Sequence, residues 1–256
     1  MTRLVPALVR AFDILELFLD TDEALTGPQI QRALGLPRTT VHELLATLVA
    51  RRYLLAESAG RYRLGVRLHQ LGSRYGEQLD LAEAGQRVAA DIAARCQETV
   101  HVAVLEDRDV IYIAKVDSTH TVRMVSAAGR RLPAHCTAVG KMLLASLSEQ
   151  ELRTRLPADT ELVAMTAHTL TDTDALYQQL ALIRDKGLAV EECESNTDVC
   201  CLSAPVHDRT GEVVAALSIS VPATRWNRDH REELEKLVTA GARDLSEHLG
   251  YRERQP

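Results

Sequence analysis

Residues 26–54 carry two short runs of apolar residues at helical spacing, joined at a glycine, and this pattern constrains the fold more than any other. Thr26 is a suitable N-cap, and Pro28 fits the first helical turn, where its missing N–H has no partner to lose. Gly35 can adopt the left-handed conformation that ends a helix, and a second helix is expected to begin at about Arg38. The pattern therefore predicts a helix-turn-helix.

The second helix of this pair has two different faces. Its apolar residues share one face: Val41, Leu44, Leu45 and Leu48. The N-terminal end of the second helix of a helix-turn-helix enters the major groove of DNA. The polar residues at that end are therefore predicted DNA contacts: Arg38, Thr39, Thr40 and His42. An ordinary pair of surface helices is the alternative for this segment alone.

A predicted hairpin follows the two helices directly. Residues 53–55 and 61–64 are typical of two short strands around a turn, in which Gly60 can adopt a positive φ. A helix-turn-helix followed by a hairpin is a winged helix. Residues 32–67 contain seven arginines and two glutamates, within a chain of formal net charge −6. Such local asymmetry favours attraction to phosphate, so Arg61 and Arg63 are also predicted DNA contacts.

Four stretches carry a family pattern: VPALVRAFDILELF, the helix-turn-helix with a wing ending GRYRLG, GRRLPAHCTAVGKMLLASL, and GLAVEECESNTDVCCLSAPVHDRTGEVVAALSISVP. Together they resemble the IclR family of bacterial transcriptional regulators over nearly the whole chain. The last stretch is the most specific. The resemblance implies a regulator that binds double-stranded operator DNA and senses a small organic-acid effector in a GAF-like C-terminal domain.

Length and composition indicate two domains. The chain has 256 residues, of which 46% are hydrophobic and 26% charged, as in a soluble globular protein. No apolar run approaches the roughly 20 residues that span a bilayer, and the N-terminus lacks the apolar core of a signal peptide. We therefore expect a cytosolic protein with no membrane partner. The expected divisions are a winged helix-turn-helix domain at 1–65, a connector helix at 66–80 and an effector domain at 81–252.

The C-terminal two thirds of the chain alternates strand and helix patterns. Strands are expected at 99–105, 110–116, 121–126, 188–192, 200–206 and 212–221, and a loop is expected at 129–137. Helices are expected at 81–96, 137–147, 174–186 and 230–249. This order predicts an antiparallel sheet with helices on its faces. The fold class is therefore α+β, with a winged helix-turn-helix, a connector helix and an antiparallel-sheet domain, which the resemblance implies is GAF-like.

Two further predicted helices flank the winged helix. Residues 6–19 form an amphipathic pattern that is expected to pack beneath it through one face: Leu8, Ala11, Phe12, Leu15 and Phe18. The connector helix is too polar to be buried alone. We expect it to mediate subunit pairing through Leu68 and Leu71, giving a homodimer or a dimer of dimers that matches a pseudo-palindromic operator.

The candidate effector site combines a helix start with strand residues. The first N–H groups of the helix beginning near Ala138 have no intrahelical partner and attract an anion such as a carboxylate. The resemblance implies that the ligand lies against the amides of Ala138 and Val139, and that four side chains complete the site: Glu191, Cys201, Ser218 and Ser220. The two serines are two apart in a strand and so share a face. In the alternative interpretation, both serines bond to backbone or to each other.

Charged residues of the candidate site indicate which chemical groups the expected ligand carries. Glu191 is expected to accept a hydrogen bond from a ligand hydroxyl, because a bare anion beside it would be repelled. Arg123, Arg130 and Arg131 are candidate partners for a ligand carboxylate, and simple solvation is the alternative.

Two alternative functions rest on nucleophilic side chains. An enzyme could use Cys201 or Ser218 beside a histidine, but the sequence has no G-x-S-x-G, P-loop or G-x-G-x-x-G motif, so we expect neither catalysis nor a cofactor. A redox-sensing regulator could use Cys200 and Cys201. The five cysteines are odd in number and lack C-x-x-C spacing, and the histidines lack paired spacing, so no metal site is expected.

Overall fold

The computed structural model describes residues 4–19, 21, 23–77, 80–120, 129 and 131–252, with backbone only for residues 73–77 and 80. The chain divides into two compact units, Met1–Gln78 and Leu79–Pro256. Among the residues described, no helix has both the length and the apolar character needed to cross a bilayer.

The N-terminal unit is a winged helix-turn-helix. Its elements are α1 (Pro6–Glu16), β1 (Leu25–Thr26), α2 (Gly27–Leu34), α3 (Arg38–Ala50), β2 (Leu54–Ala56), β3 (Arg61–Leu64) and α4 (Val66–Glu77). The backbone N–H of Thr26 donates to Oε1 of Gln29 at 2.8 Å, which fixes the start of α2. Gly35 ends that helix with a φ of 63°. The three strands pair antiparallel in the order β1-β3-β2, so β1 adds a strand that the sequence pattern did not predict.

The core of this unit corrects the predicted face of the first helix. Ile14 and Phe18 are buried against α2, α3 and β2, whereas Leu8 and Phe12 are 57% and 58% exposed. The helix is apolar on more than one side, so its spacing alone could not show which side packs inward. On α3, the predicted apolar face is correct, with Val41, Leu45 and Leu48 buried and Leu44 partly buried.

The C-terminal unit is one antiparallel sheet between two layers of helices. Its elements are α5 (Asp80–Cys96), β4 (Thr99–Glu106), β5 (Asp109–Val116), β6 (Arg131–Pro133), α6 (Ala138–Ala145), α7 (Glu149–Arg155), α8 (Thr173–Lys186), β7 (Ala189–Glu192), β8 (Val199–His207), β9 (Val213–Pro222) and α9 (Arg228–His248). The strand order is β6-β5-β4-β9-β8-β7, with antiparallel pairing throughout. The predicted α+β fold class is therefore confirmed.

The two faces of the sheet have different partners. On β9, Leu217 and Ile219 belong to the core formed with α5 and α9. Ala216 belongs instead to the core formed with α6 and α8. Because side chains alternate along a strand, Ser218 and Ser220 lie on the α6 side of the sheet.

The segment before α6 differs from its prediction as a loop. It contains the short strand β6 and a 3₁₀ turn, Ala134–Cys136. Gly140 packs directly against that turn, because a Cβ atom on it would lie 2.2 Å from the carbonyl oxygen of Ala134. This close approach fixes the position of the start of α6. The strand predicted at 121–126 lies outside the described residues.

Candidate functional site

The predicted DNA-reading end of α3 is exposed. Arg38, Thr39 and His42 are exposed and Thr40 is half-buried. Arg38 and His42 line a cleft of about 220 Å³ whose other walls include Tyr62 of the wing. The start of α3 and the wing therefore form one continuous surface of the N-terminal unit.

The wing presents two arginines on one face. Arg61 and Arg63 are both exposed on β3, whereas Tyr62 between them packs on the core. Nε of Arg63 donates to Oε1 of Glu57 at 2.8 Å. The side chain of Arg63 is half exposed in this ion pair. Glu57 therefore binds Arg63 at the wing, a pairing that the excess of basic residues in this segment does not indicate.

On the α6 side of the sheet, Glu191, Cys201 and Ser220 form a polar row across three strands. Glu191 faces Cys201 in the β7–β8 register, and Cys201 faces Ser220 in the β8–β9 register. The thiol of Cys201 donates to Oγ of Ser220 at 3.2 Å. Ser218 lies one position further along the same face, opposite His101. The structure therefore brings together the four strand residues predicted from the sequence.

The start of α6 lies beside this row. Ala138 clusters with Val199 and Cys201, which joins the first turn of the helix to β8. Oγ1 of Thr137 caps the helix by accepting from the N–H of Gly140 at 3.2 Å. The side chain of Val139 packs into the core with α8, so only its backbone amide is available in the role predicted for it. The two amides and the polar row occupy one region of the unit.

Glu191 is a buried carboxyl with an altered pKa. Its two oxygens accept hydrogen bonds from the backbone N–H of Glu194 at 2.8 Å and from Oγ of Ser195 at 3.0 Å. Burial raises the pKa of Glu191 to about 7, although these hydrogen bonds oppose the change. The carboxyl is therefore largely neutral below pH 7, which lowers its repulsion of a ligand anion.

A buried ion pair next to this carboxyl was missed by the sequence analysis. Lys141 on α6 is fully buried, and its Nζ contacts Oε1 of Glu194. Oε2 of Glu194 is a buried oxygen with no hydrogen-bond partner among the described residues. The available signal was a single lysine within the apolar run VGKMLLA, since an unpaired buried ammonium would be very costly.

Two histidines lie near these groups. His101 is fully buried beside Tyr112, with 4.5 Å between the ring centroids, and its Nδ1 lies 3.5 Å from Oγ of Ser220. Burial, together with the charge of Lys115, lowers the pKa of His101 to about 3. His135 contacts the carbonyl oxygen of Val163 through Nε2 at 3.0 Å. Burial lowers the pKa of His135 as well.

One of the three arginines proposed as carboxylate partners lies among the described residues. Arg131 lies on β6, where it forms surface ion pairs with Glu106 at 3.0 Å and Asp109 at 3.4 Å. These ion pairs favour the alternative interpretation, in which Arg131 is a solvated surface residue. Arg123 and Arg130 lie outside the described residues.

The cysteines give little support to catalysis. Burial raises the pKa of the Cys201 thiol well above its ordinary value. A protonated thiol is a weak nucleophile, and His101 is too weak a base to activate it. Cys200 lies next to Cys193 rather than bonded to Cys201, because neighbouring strand residues point to opposite faces. In the described part of the chain, no cluster of three His, Cys, Asp or Glu residues could hold a metal ion.

The comparisons with known proteins agree with this architecture. Residues 7–58 match the IclR helix-turn-helix domain, and residues 73–247 match the bacterial transcriptional regulator IclR C-terminal domain. KdgR of Dickeya chrysanthemi is 32% identical over 248 residues, covering 96% of this chain and 81% of KdgR. The Pca regulon regulatory protein of Pseudomonas putida is 33% identical over 251 residues, covering 95% of this chain and 84% of that protein.

Solved structures share the fold. The IclR protein of Thermotoga maritima has a TM-score of 0.76 at 28% identity, covering 95% of this chain and 98% of that one. An IclR homolog from Microbacterium hydrocarbonoxydans, complexed with 4-hydroxybenzoate, has a TM-score of 0.83 at 26% identity, with coverages of 95% and 98%. A winged helix-turn-helix joined to such a sheet domain defines a DNA-binding transcriptional regulator.

The chain belongs to the IclR family of bacterial transcriptional regulators. This confirms the resemblance identified from its sequence motifs. The relatives are regulators and not enzymes, which also confirms the expectation that catalysis is not the function.

Proposed function

We propose that this protein is an effector-responsive regulator that binds an operator through its N-terminal unit and senses a small organic acid in its C-terminal unit. The observation that carries the proposal is the polar row beside the start of α6. Its buried hydroxyl, thiol and carboxyl groups lie on an inner face of the sheet, where polar groups are costly without partners. In the structure these groups bond to one another and to neighbouring residues, and a polar ligand would exchange hydrogen bonds with them. The proposed place of action is the cytoplasm, where bacterial DNA lies.

The proposed ligand carries an anion at one end and a hydroxyl at the other. The amides of Ala138 and Val139 suit a carboxylate, and Ser218 and Ser220 suit its remaining oxygens. Glu191 suits a hydroxyl donor. The relative complexed with 4-hydroxybenzoate contains a ligand with both groups, which supports the same chemical class here.

The proposed DNA contacts are the residues exposed at the start of α3 and on β3, namely Arg38, Thr39, Thr40, His42, Arg61 and Arg63. The α3 residues would read base edges, and the wing arginines would contact phosphates. We propose domain limits of 1–65, 66–80 and 81–252, in which the connector helix contains α4. A pseudo-palindromic operator would require an even number of subunits. The exposed apolar residues Leu8 and Phe12 of α1 and Leu71 of α4 are suited to such pairing.

The test measures operator affinity as a function of ligand. The operator is obtained by mapping the DNA bound in cells, and a fluorescent duplex is then titrated with protein at several concentrations of hydroxybenzoates and short hydroxy acids. A saturable shift of the operator affinity, with no consumption of the acid, is the expected result. Specific DNA binding that responds to none of these acids would exclude the proposed ligand class and leave the DNA-binding function intact.

A further inference from the structure

Cys193 and Cys200 form a close pair of thiols across the turn between β7 and β8. Their Sγ atoms are 3.7 Å apart. The backbone N–H of Cys193 donates to the carbonyl oxygen of Val199 at 3.1 Å, so the two chain segments already lie side by side. A disulfide needs an S–S distance of about 2.05 Å, and closing the remaining gap of roughly 1.7 Å requires only small side-chain rotations.

The other cysteines have different partners. Cys201 donates to Ser220 at 3.2 Å on the opposite face of β8, and Cys136 donates to the carbonyl oxygen of Pro133 at 3.5 Å. Cys96 lies 4.0 Å from the carbonyl oxygen of Glu98. The vicinal pair considered from the sequence is therefore not the pair that the fold brings together.

The two thiols differ in accessibility. Cys193 is partly exposed, whereas Cys200 is 3% exposed. An oxidant in solution would therefore reach Cys193 first, and Cys200 would be the thiol that resolves the product. Partial exposure next to a second thiol is the arrangement found in redox-sensitive cysteine pairs.

We propose that Cys193 and Cys200 are a modification site that a peroxide oxidises to an intramolecular disulfide. The Cys193 thiolate attacks one peroxide oxygen, the O–O bond breaks, and a sulfenic acid and one water form after protonation. Cys200 then attacks the Cys193 sulfur, the S–O bond breaks, and a second water leaves as the S–S bond forms. Two thiols lose two electrons in total, and the peroxide gains them.

The disulfide would close the turn that contains Glu194 and Ser195. Both residues donate to the carboxyl of Glu191, and Glu194 also contacts Lys141. Oxidation would therefore restrict the segment that positions one end of the polar row. The effect on the polar row rests on the proposed function, whereas the formation of the disulfide does not.

The test is peptide mapping of the full-length protein. Protein treated with hydrogen peroxide is alkylated, unfolded and cleaved with trypsin, which leaves all three cysteines of the region in residues 187–209. Cleavage before Asp198 then separates Cys193 from Cys200. We expect the two fragments to remain joined in the oxidised wild type, with a mass 2 Da below the sum of the same two fragments carrying thiols at Cys193 and Cys200, and to separate after dithiothreitol.

Variants identify the partner. Cys193→Ser and Cys200→Ser should each abolish the link, whereas Cys201→Ser should retain it. A link that persists in Cys200→Ser, or a wild type whose fragments separate after peroxide treatment, would overturn the proposal. Because the wild-type mapping needs no variant, a variant that fails to fold does not remove the test. An operator titration of the oxidised protein, run separately, reports on the consequence for the polar row.

Discussion

Glu191 should make the stability of the C-terminal unit depend on pH. The residue is 1% exposed, and burial raises its pKa from 4.5 to about 7. A carboxyl whose pKa is raised by folding contributes stability that is fully present below pH 4.5 and is lost as the pH rises to about 7. Each unit of difference between the two pKa values is worth about 1.4 kcal/mol. The free energy of unfolding therefore falls by about 3 kcal/mol in total once the pH is above about 7.

The perturbation is Glu191→Gln, which removes the ionisation and keeps the shape. The amide oxygen can still accept from the N–H of Glu194. The amide nitrogen can donate to the hydroxyl of Ser195, which then accepts a hydrogen bond instead of donating one. At pH 8 the variant should be more stable than the wild type by about 1–3 kcal/mol, with the lower values reflecting imperfect geometry of the new donor. Near pH 5 the two proteins should have similar stability.

The assay is urea unfolding at a series of pH values. The chain has one tryptophan, Trp226, which lies in the C-terminal unit and so reports on the unfolding of that unit. Glu212→Gln removes an exposed carboxyl from the same unit and serves as the matched control, with an expected profile like that of the wild type. If Glu191→Gln and the wild type lost stability in parallel between pH 5 and 8, the argument from burial would be refuted.

Further predictions concern DNA, ligand and packing. Arg38→Ala should weaken operator binding by roughly 1–3 kcal/mol, and Arg61→Ala should reduce the slope of log affinity against log salt by about one, both measured by fluorescence anisotropy. Arg153→Ala, which removes the same charge from the surface of the other unit, is their control. Ser218→Ala with Ser220→Ala should raise the effector midpoint at least tenfold by calorimetry, whereas Ser203→Ala should not, because its hydroxyl already donates to the carbonyl oxygen of Leu217 at 2.9 Å. Gly140→Ala should destabilise the C-terminal unit by at least about 1–3 kcal/mol in urea, since its Cβ would overlap the backbone of Ala134. An unchanged urea midpoint would show that the 3₁₀ turn can move away.

Much of the fold could be predicted from the sequence because its signals are local. The capping residue Thr26, the left-handed Gly35 and the apolar spacing of α3 all act within a few residues of one another. Strand β1 has only two residues, and it exists because Leu25 and Thr26 pair with Tyr62 and Arg61, far along the chain. Such pairing leaves no periodic pattern to detect.

The candidate effector site could be predicted only in part. The polar row could be placed from alternation along β9 together with the family resemblance, since neighbouring polar positions on one face are unusual in a buried strand. The ion pair could not, because Lys141 and Glu194 are 53 positions apart and only the packing of α6 against the sheet brings them together. The side of α1 that faces solvent could not be predicted either, because apolar residues surround much of the helix.

Alternation along the ten residues of β9 places apolar side chains on one face of the sheet and hydroxyl side chains on the other. Leu217 and Ile219 serve the core, and Ser218 and Ser220 between them serve the opposite face. In the proposed effector site, a substitution at one of the two serines would change the shape and polarity that face the ligand, while the hydrophobic face stays intact. Within this architecture, recognition could diversify at alternate positions of a strand without a new fold having to evolve for each compound.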